Sequence, residues 1–233
     1  MPKIVDHVQG KKLEEEWSGQ ATKLIIGSSH TIRLMRGEEA IAVVGIRGGG
    51  CGHIRQRVRS YSPQRRGLIT DVIVVAAGND LDRRISRAAE IKTATKTTET
   101  GLTSLALFLS QWFPRANIIT FVILPRSSEG SIFNSRARRI ALDIRQANER
   151  HHHVNFIKSF TIRKRRDHKS DLKAEEYPVV SAFYKGGDGT HLNAAGYQAI
   201  RKIADWALTG QKEVGNPYDF EENGWRVHAV FKF

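Results

Sequence analysis

The 233-residue chain is 40% hydrophobic and long enough to bury a sizeable core as one α/β domain without crosslinks. Its single cysteine, Cys51, excludes an intramolecular disulfide and fits a reducing compartment. A net charge of +13 favours anionic partners such as nucleic acid, but it carries no information about catalysis.

The hydropathy pattern predicts where the protein resides. The N-terminal residues contain no apolar run typical of a secretory signal, and no stretch reaches about 18 consecutive apolar residues. We therefore expect an intracellular protein, cytoplasmic or nuclear, without a membrane span. The sequence leaves the oligomeric state open.

In chain order, residues 1–21 are predicted to be an N-terminal appendage containing a short charged helix at Lys11–Trp17. Residues 22–209 then alternate between short apolar runs and amphipathic segments, which predicts an α/β domain with a parallel, doubly wound sheet. Predicted strands cover residues 22–26, 40–44, 71–76, 117–124 and 154–157. Predicted helices cover residues 29–36, 52–60, 84–112, 134–150 and 193–209.

Two segments depart from this alternation. Residues 158–187 are predicted to be a basic insertion, and long insertions at a functional edge are often lids or binding loops. Residues 210–233 form a C-terminal tail, whose last part alternates like an edge strand. The apolar side chains of this tail predict that it packs on the domain or on a partner.

The most informative motif lies just before the last predicted helix. Asp188 precedes His191 by three residues, and Asn193 is a candidate N-cap for the helix that follows. Such a helix fixes the preceding turn, so a carboxylate here can orient the histidine. A histidine oriented in this way activates a serine or cysteine nucleophile.

A candidate serine follows the first strand of the core. Residues 23–26 read as a buried strand that runs through Gly27 into Ser28 and Ser29 and then into a predicted helix. This strand–turn–helix pattern exposes a hydroxyl at the carboxyl end of a sheet, beside helix N–H groups. Two further strands end in the glycine run 48–50 and in Gly78-Asn79-Asp80. Because all three ends share one edge of a parallel sheet, they predict a single site.

Together these blocks resemble the SGNH (GDSL-type) hydrolase superfamily over about residues 22–209. The nucleophile block matches at Ser29, the glycine block at Gly48, the Gly-x-Asn-Asp block at Asn79, and the Asp-x-x-His block at Asp188 and His191. Two departures are present. Ser28 stands in place of the family's aspartate, and Ala77 stands in place of the first glycine of Gly-x-Asn-Asp.

A narrower likeness is also visible. Residues 27–30 with Arg33-Leu34, then residues 78–81, then Leu124-Pro125-Arg126, resemble SGNH domains of some animal retroelement-encoded proteins.

The resemblance implies a three-layer α/β/α sandwich with a flavodoxin-like, five-stranded parallel sheet. It implies cleavage of ester or acetyl-ester bonds in a small-molecule or acylated substrate, without a cofactor or a metal. Ser29, His191 and Asp188 would form the catalytic triad. The oxyanion hole would consist of backbone N–H groups of Ser29 and Gly48 and the side-chain amide of Asn79.

Several alternatives remain at this point. Ser28 is a rival nucleophile, and Gly49 is a rival for Gly48. The Cys51 thiol is read as a packed core residue, and His151-His152-His153 as a solvated helix end, because three consecutive histidines cannot all face one metal ion.

The alternative function is that of an inactive or catalytically reduced SGNH-like module. It would bind nucleic acid or a ribonucleoprotein assembly through basic surfaces. The residues predicted to contact phosphates are Arg163, Lys164, Arg165, Arg166 and Lys169.

Overall fold

The computed structural model describes residues 3–34, 37–82, 88–121, 123–124, 126, 130–150, 155–164, 189–209, 220–222 and 225–232. The strands are β1 Lys3–Val8, β2 Lys11–Glu16, β3 Lys23–Gly27, β4 Ile41–Ile46, β5 Asp71–Val75, β6 Asn117–Thr120, β7 Asn155–Lys164, β8 Phe220–Glu222 and β9 Trp225–Lys232. The helices are α1 Ser29–Ile32, α2 Cys51–Arg59, α3 Pro63–Gly67, α4 Gly78–Leu81, α5 Ala88–Trp112, α6 Gly130–Arg150 and α7 Ala194–Thr209. None of these helices combines the length and the apolar character needed to cross a membrane.

Five parallel strands form the centre of the sheet in the order β4-β3-β5-β6-β7. The interior strand β3 is apolar on both faces, and Leu24, Ile25 and Ile26 are fully buried. Such continuous apolar runs are typical of parallel strands that helices cover on both sides. The predicted five-stranded, doubly wound sheet is therefore confirmed, and the chain order 2-1-3-4-5 is that of flavodoxin-like folds.

Helices cover both faces of this sheet. Leu24 and Ile26 belong to one core cluster that also contains apolar residues of α2, α5 and α6. Ile25 points to the opposite face because side chains alternate along a strand. On that side α7 is held to the β3–α1 segment by hydrogen bonds from Lys23 Nζ to the Leu208 carbonyl and from Arg201 to the Arg33 carbonyl.

Antiparallel strands extend the sheet at both edges. The hairpin of β1 and β2 joins the free side of β4, with Leu13 opposite Ile46, and β9 and β8 follow β7 at the other edge. The helix predicted at Lys11–Trp17 is therefore wrong, because this segment contains β2. The predicted boundaries after residues 21 and 209 do not divide the sheet. Strands β1 and β2, before residue 21, and strands β8 and β9, after residue 209, belong to the same sheet as the five parallel strands.

Buried charges explain why a segment rich in helix-forming residues becomes a strand. Glu15 is fully buried in β2, where its carboxylate accepts hydrogen bonds from the guanidinium groups of Arg57 and Arg65. Arg65 also stacks over Trp17 at 3.5 Å from the ring centroid. These contacts come from distant parts of the chain, so they override the local helix propensity of Lys, Leu and Glu.

The arginine cluster that follows the glycine run is largely used inside the protein. Besides the two arginines on Glu15, Arg66 lies over Trp112 at 4.1 Å, and Arg55 and Arg59 flank Phe108. Arginine stacks readily on aromatic faces, and such contacts hold the side chain against the protein. In this region the positive charges therefore pack α2 and α3 against β2 and α5.

The basic insertion begins later than predicted. The strand predicted at residues 154–157 is β7, which reaches Lys164 and pairs with β9 over most of its length. Residues 158–164 are thus strand and not loop, while residues 165–187 lie outside the described part of the chain. The strand predicted in the C-terminal tail is confirmed as β9, but its predicted place at the edge of the sheet is wrong, because β8 pairs with its other side.

Candidate active site

The turn that carries Ser29 is shaped by close packing of β3 against β5. A Cβ atom at Gly27 would lie 2.1 Å from the carbonyl oxygen of Val75, so only glycine fits there. Ser28 is buried, and its backbone N–H donates to the same Val75 carbonyl at 3.0 Å. Ser29 follows as the first residue of α1 and is partly exposed. This arrangement leaves Ser29 partly exposed and Ser28 buried, although both residues line the cavity in front of the turn.

His191 lies against this hydroxyl. The Nε2 atom of His191 is 3.3 Å from Ser29 Oγ, although 162 residues separate the two in the chain. Asn193 caps α7, because its side-chain oxygen accepts a hydrogen bond from the Gly196 N–H at 3.0 Å. The predicted N-cap is thus confirmed, and it fixes the turn that holds His191. Asp188 lies outside the described residues.

A second histidine and a tyrosine support this pair. His30 Nδ1 is 3.2 Å from the hydroxyl of Tyr197 on α7, and the rings of His30 and His191 are 5.4 Å apart. These contacts join the Ser29 turn to the start of α7. No sequence motif indicated the contact between Tyr197 and His30.

The glycine run and the Asn79 turn contact each other beside the serine. The side-chain amide of Asn79 donates to the Gly49 carbonyl at 2.8 Å. The Gly49 N–H donates to the Ile46 carbonyl at 3.0 Å, which makes Gly49 part of a turn. Gly48, at φ +63°, lines the cavity in front of Ser29, so the structure favours Gly48 over Gly49 as the residue facing a substrate.

Asp80 also links the glycine run to the Asn79 turn. Its carboxylate accepts the Cys51 N–H at the start of α2 at 3.0 Å, and a Cβ atom at Gly50 would clash with it. Burial raises the pKa of the Cys51 thiol well above its ordinary value, and the negative charge of Asp80 adds to the effect. Because the thiolate is the nucleophilic form, a buried thiol of this kind is a packed core residue.

The residue that replaces the family's glycine before Asn79 is conformationally unusual. Ala77 has φ +70°, in the left-handed region that favours glycine, and it is fully buried at the N-terminus of α4. Glycine adopts this conformation without strain. Ala77 adopts it here, and Asn79 two residues later lies beside the glycine run.

The nucleophile turn, the glycine run and the Asn79 turn open onto one cavity of about 360 Å³. Ser29, His191, Gly48 and Asn79 line it, as do three charged residues, Arg47, Asp82 and Arg126. The sequence assigned no role to the charged residues. Arg126 follows β6 at the same edge of the sheet as the predicted site, and this position was the available signal.

The remaining predicted contacts fall elsewhere. Arg163 and Lys164 lie in β7, and Arg165, Arg166 and Lys169 lie outside the described residues, so nucleic-acid binding stays a prediction. His151, His152 and His153 also lie outside them. Among the residues that the structure describes, no cluster of three His, Cys, Asp or Glu side chains is arranged to hold a metal ion.

Solved structures share this fold. An acetylxylan esterase from Geobacillus stearothermophilus superposes with a TM-score of 0.53 at 18% identity, over 84% of this chain and 96% of that protein. A GDSL-like lipase from Bacteroides thetaiotaomicron superposes with a TM-score of 0.53 at 17% identity, over 81% of this chain and 87% of the lipase.

At this level of identity the likeness establishes the fold. The chain has the mixed α/β fold of GDSL-type, SGNH hydrolase-like proteins, as its sequence motifs predict. No protein-family model matches the chain, and no curated protein matches it.

Proposed function

We propose that this protein is a serine hydrolase that cleaves carboxylic esters, acetyl esters among them, through an acyl-enzyme at Ser29. The observation that carries the proposal is the 3.3 Å approach of His191 Nε2 to Ser29 Oγ at the wall of the shared cavity. A hydroxyl beside a basic ring nitrogen is the minimal unit of nucleophilic catalysis, and this contact is often loose before substrate binds. The fold supports the same reaction class.

In the first step, Ser29 Oγ attacks the ester carbonyl carbon while His191 Nε2 takes the hydroxyl proton. The carbonyl π electrons move to the oxygen, which becomes an oxyanion. When the tetrahedral species collapses, the alcohol leaves with the proton from His191, and the acyl group stays on Ser29. Water then attacks the acyl-enzyme with His191 again as base, which releases the acid and restores the serine.

The developing oxyanion requires hydrogen-bond donors that are already in place. We assign this role to the backbone N–H groups of Ser29 and Gly48 and to the side-chain amide of Asn79. One amide hydrogen of Asn79 is used by the Gly49 carbonyl, and the amide carries two. The bond to Gly49 therefore orients the amide without consuming its capacity to donate.

Asp188 completes the proposal as the carboxylate that orients His191 and stabilises its charged form. Its support is the spacing of three residues before His191. The narrower likeness to retroelement-encoded domains stays a prediction, as does an inactive module that binds nucleic acid.

A fluorophosphonate probe tests the proposed nucleophile directly. We expect one covalent adduct per chain, located by peptide mass spectrometry on Ser29, because the probe reacts with serines activated by a base. Ser28→Ala is the matched control: it removes the neighbouring hydroxyl, and labelling should persist. An adduct on Ser28 would reassign the nucleophile, and the absence of any adduct on folded protein would contradict the proposed activity.

Asn79→Ala separates an oxyanion role from a substrate-binding role. We expect kcat for a short-chain aryl ester to fall by about 10²–10³ with little change in KM, because the donor acts mainly in the transition state. Steady-state kinetics measure both constants. A rise in KM with kcat unchanged would instead make Asn79 a residue that binds the ground state.

A further inference from the structure

We propose that the substrate of this site carries a carboxylate, in addition to the ester that is cleaved, and that Arg126 recognises it. The inference deepens the proposed function and rests on it. It starts from the charged wall of the cavity that contains Ser29 and His191, where Arg126 lies with a side chain only 6% exposed. A buried guanidinium beside a nucleophile is a specificity element of a kind that a simple acetyl ester does not require.

Arg126 is held rigidly, as recognition of a planar anion requires. Its backbone N–H donates to Asn134 Oδ1 at 2.9 Å, and its carbonyl accepts from Asn134 Nδ2 at 2.8 Å. Its guanidinium lies 4.2 Å from the centroid of the Phe133 ring. Because backbone and head group are both fixed by the start of α6, little side-chain entropy is lost when an anion binds.

The charge of Arg126 is shared with an exposed carboxylate. Its Nη1 atom is 2.8 Å from Oδ1 of Asp82, whose side chain is 41% exposed. Asp82 directly follows α4, so the ion pair adjoins the short helix that carries the proposed oxyanion donor Asn79. A guanidinium presents five N–H donors in a fixed fork and can serve a second carboxylate beside the first.

The two arginines that line the cavity fit a carboxylate better than a phosphate. Arg47, the other lining arginine, is bound by Glu14 of β2 through contacts of 2.7 and 2.6 Å and is half exposed. Each arginine therefore already pairs with a carboxylate, so the described lining residues do not offer the clustered cations that a phosphate dianion prefers. A carboxylate matches the planar fork of Arg126 by shape and by charge.

Two pairs of matched esters test the proposal. Phenyl hemisuccinate against phenyl pentanoate places the carboxylate on the acyl side. 4-Acetoxybenzoate against 4-acetoxybenzamide places it on the alcohol side. In at least one pair we expect kcat/KM for the carboxylate member to exceed that of the neutral member by about tenfold or more, the effect of one charge-assisted hydrogen bond.

The variants separate recognition from support. Arg126→Gln should abolish the selectivity ratio, and Asp82→Asn should raise it, because it removes the competing carboxylate. Arg139→Gln, on an exposed pair with Asp143 on α6, changes the net charge equally and should leave the ratio unchanged. If Arg126 only supports the fold, Arg126→Gln and Asp82→Asn will each lower both rates together and leave the ratio intact, which would overturn the proposal.

A binding measurement keeps this test distinct from that of the proposed function. In Ser29→Ala, calorimetric titration should show the carboxylate ester binding about tenfold more tightly than its neutral partner, and Arg126→Gln in that background should remove the difference. Selective binding without any turnover by the unmodified chain would uphold the recognition and contradict the hydrolase. Turnover with equal binding of both members would uphold the hydrolase and contradict the recognition.

Discussion

Ser29→Ala and His191→Ala should each lower kcat for a short-chain aryl ester by about 10⁴–10⁶, because the proton can no longer pass from the hydroxyl to the ring. The double variant should be scarcely slower than either single variant, since the two groups act as a unit. Asp188→Ala should cost less, about 10⁴, because the pair of Ser29 and His191 still remains. Steady-state kinetics with an active-site titration give these rates.

Ser28→Ala is the internal control for these rates, because Ser28 lies in the same turn but is buried, whereas Ser29 is partly exposed and its hydroxyl lies 3.3 Å from the His191 ring nitrogen. Circular dichroism should show all variants folded. Full activity in Ser29→Ala would refute the assignment of the nucleophile. Additive losses in the double variant would mean that the two residues do not work in one proton transfer.

Glu15→Ala should lower the free energy of unfolding by about 3–5 kcal/mol, the range found when one partner of a buried ion pair is removed. The carboxylate is fully buried, and its two arginines are 15% and 27% exposed, so its loss leaves two neighbouring guanidinium groups without their counterion. Tyr61 lies in the same cluster, where burial raises the pKa of its hydroxyl and the charge of Glu15 raises it further. Urea unfolding followed by fluorescence measures the change.

An exposed ion pair provides the comparison. Asp143 pairs with Arg139 one turn apart on α6, and Arg139 is 71% exposed. Asp143→Ala should cost at most about 0.5 kcal/mol because water solvates the Arg139 guanidinium and weakens its attraction to the carboxylate. A similar small loss for Glu15→Ala would show that the arginines reorganise toward solvent and that the buried pair contributes little to stability.

The parallel core of the sheet was predictable because its signals are local. Residues 24–26 and 72–76 are continuous apolar runs that are followed by turn residues, and the structure has strands there. The approach of His191 to Ser29 was also predictable in outline, because strand ends in a parallel sheet share one edge. Asp188 is central to the motif, but it lies outside the residues that the structure describes.

The N-terminal hairpin was not predictable, because what determines it is distant in sequence. Lys, Leu and Glu favour a helix locally, and only the arginines at positions 57 and 65 make a buried carboxylate tolerable in a strand. The same contacts account for part of the positive charge. Arg57 and Arg65 contribute to the net positive charge from which an anion-binding surface was predicted. In the structure, however, they pack against Glu15 and the rings of Trp17 and Tyr61.

The cavity wall shows a further limit of motif reading. Arg126 and Asp82 are 44 positions apart, and neither belongs to a block that defines the fold family. Their meeting depends on the order of the strands β5 and β6, which brings the ends of both strands to one side of the nucleophile. The strand order of the sheet thus determines which residues line the cavity beside the proposed reacting groups. The reacting groups themselves can be recognised from short sequence motifs.

Strand β2 is attached to the segment that leads into the glycine run, and this attachment limits how far the N-terminus can be shortened. The Arg47 N–H donates to the Lys12 carbonyl at 2.8 Å, and the Arg47 side chain holds Glu14. A chain trimmed to start at residue 22, as its motifs suggest, would lose both anchors next to Gly48. It would also expose the backbone hydrogen-bonding groups of β4, and exposed strand edges promote pairing with other chains and aggregation. Expression trials that seek a minimal catalytic unit should therefore retain the first hairpin.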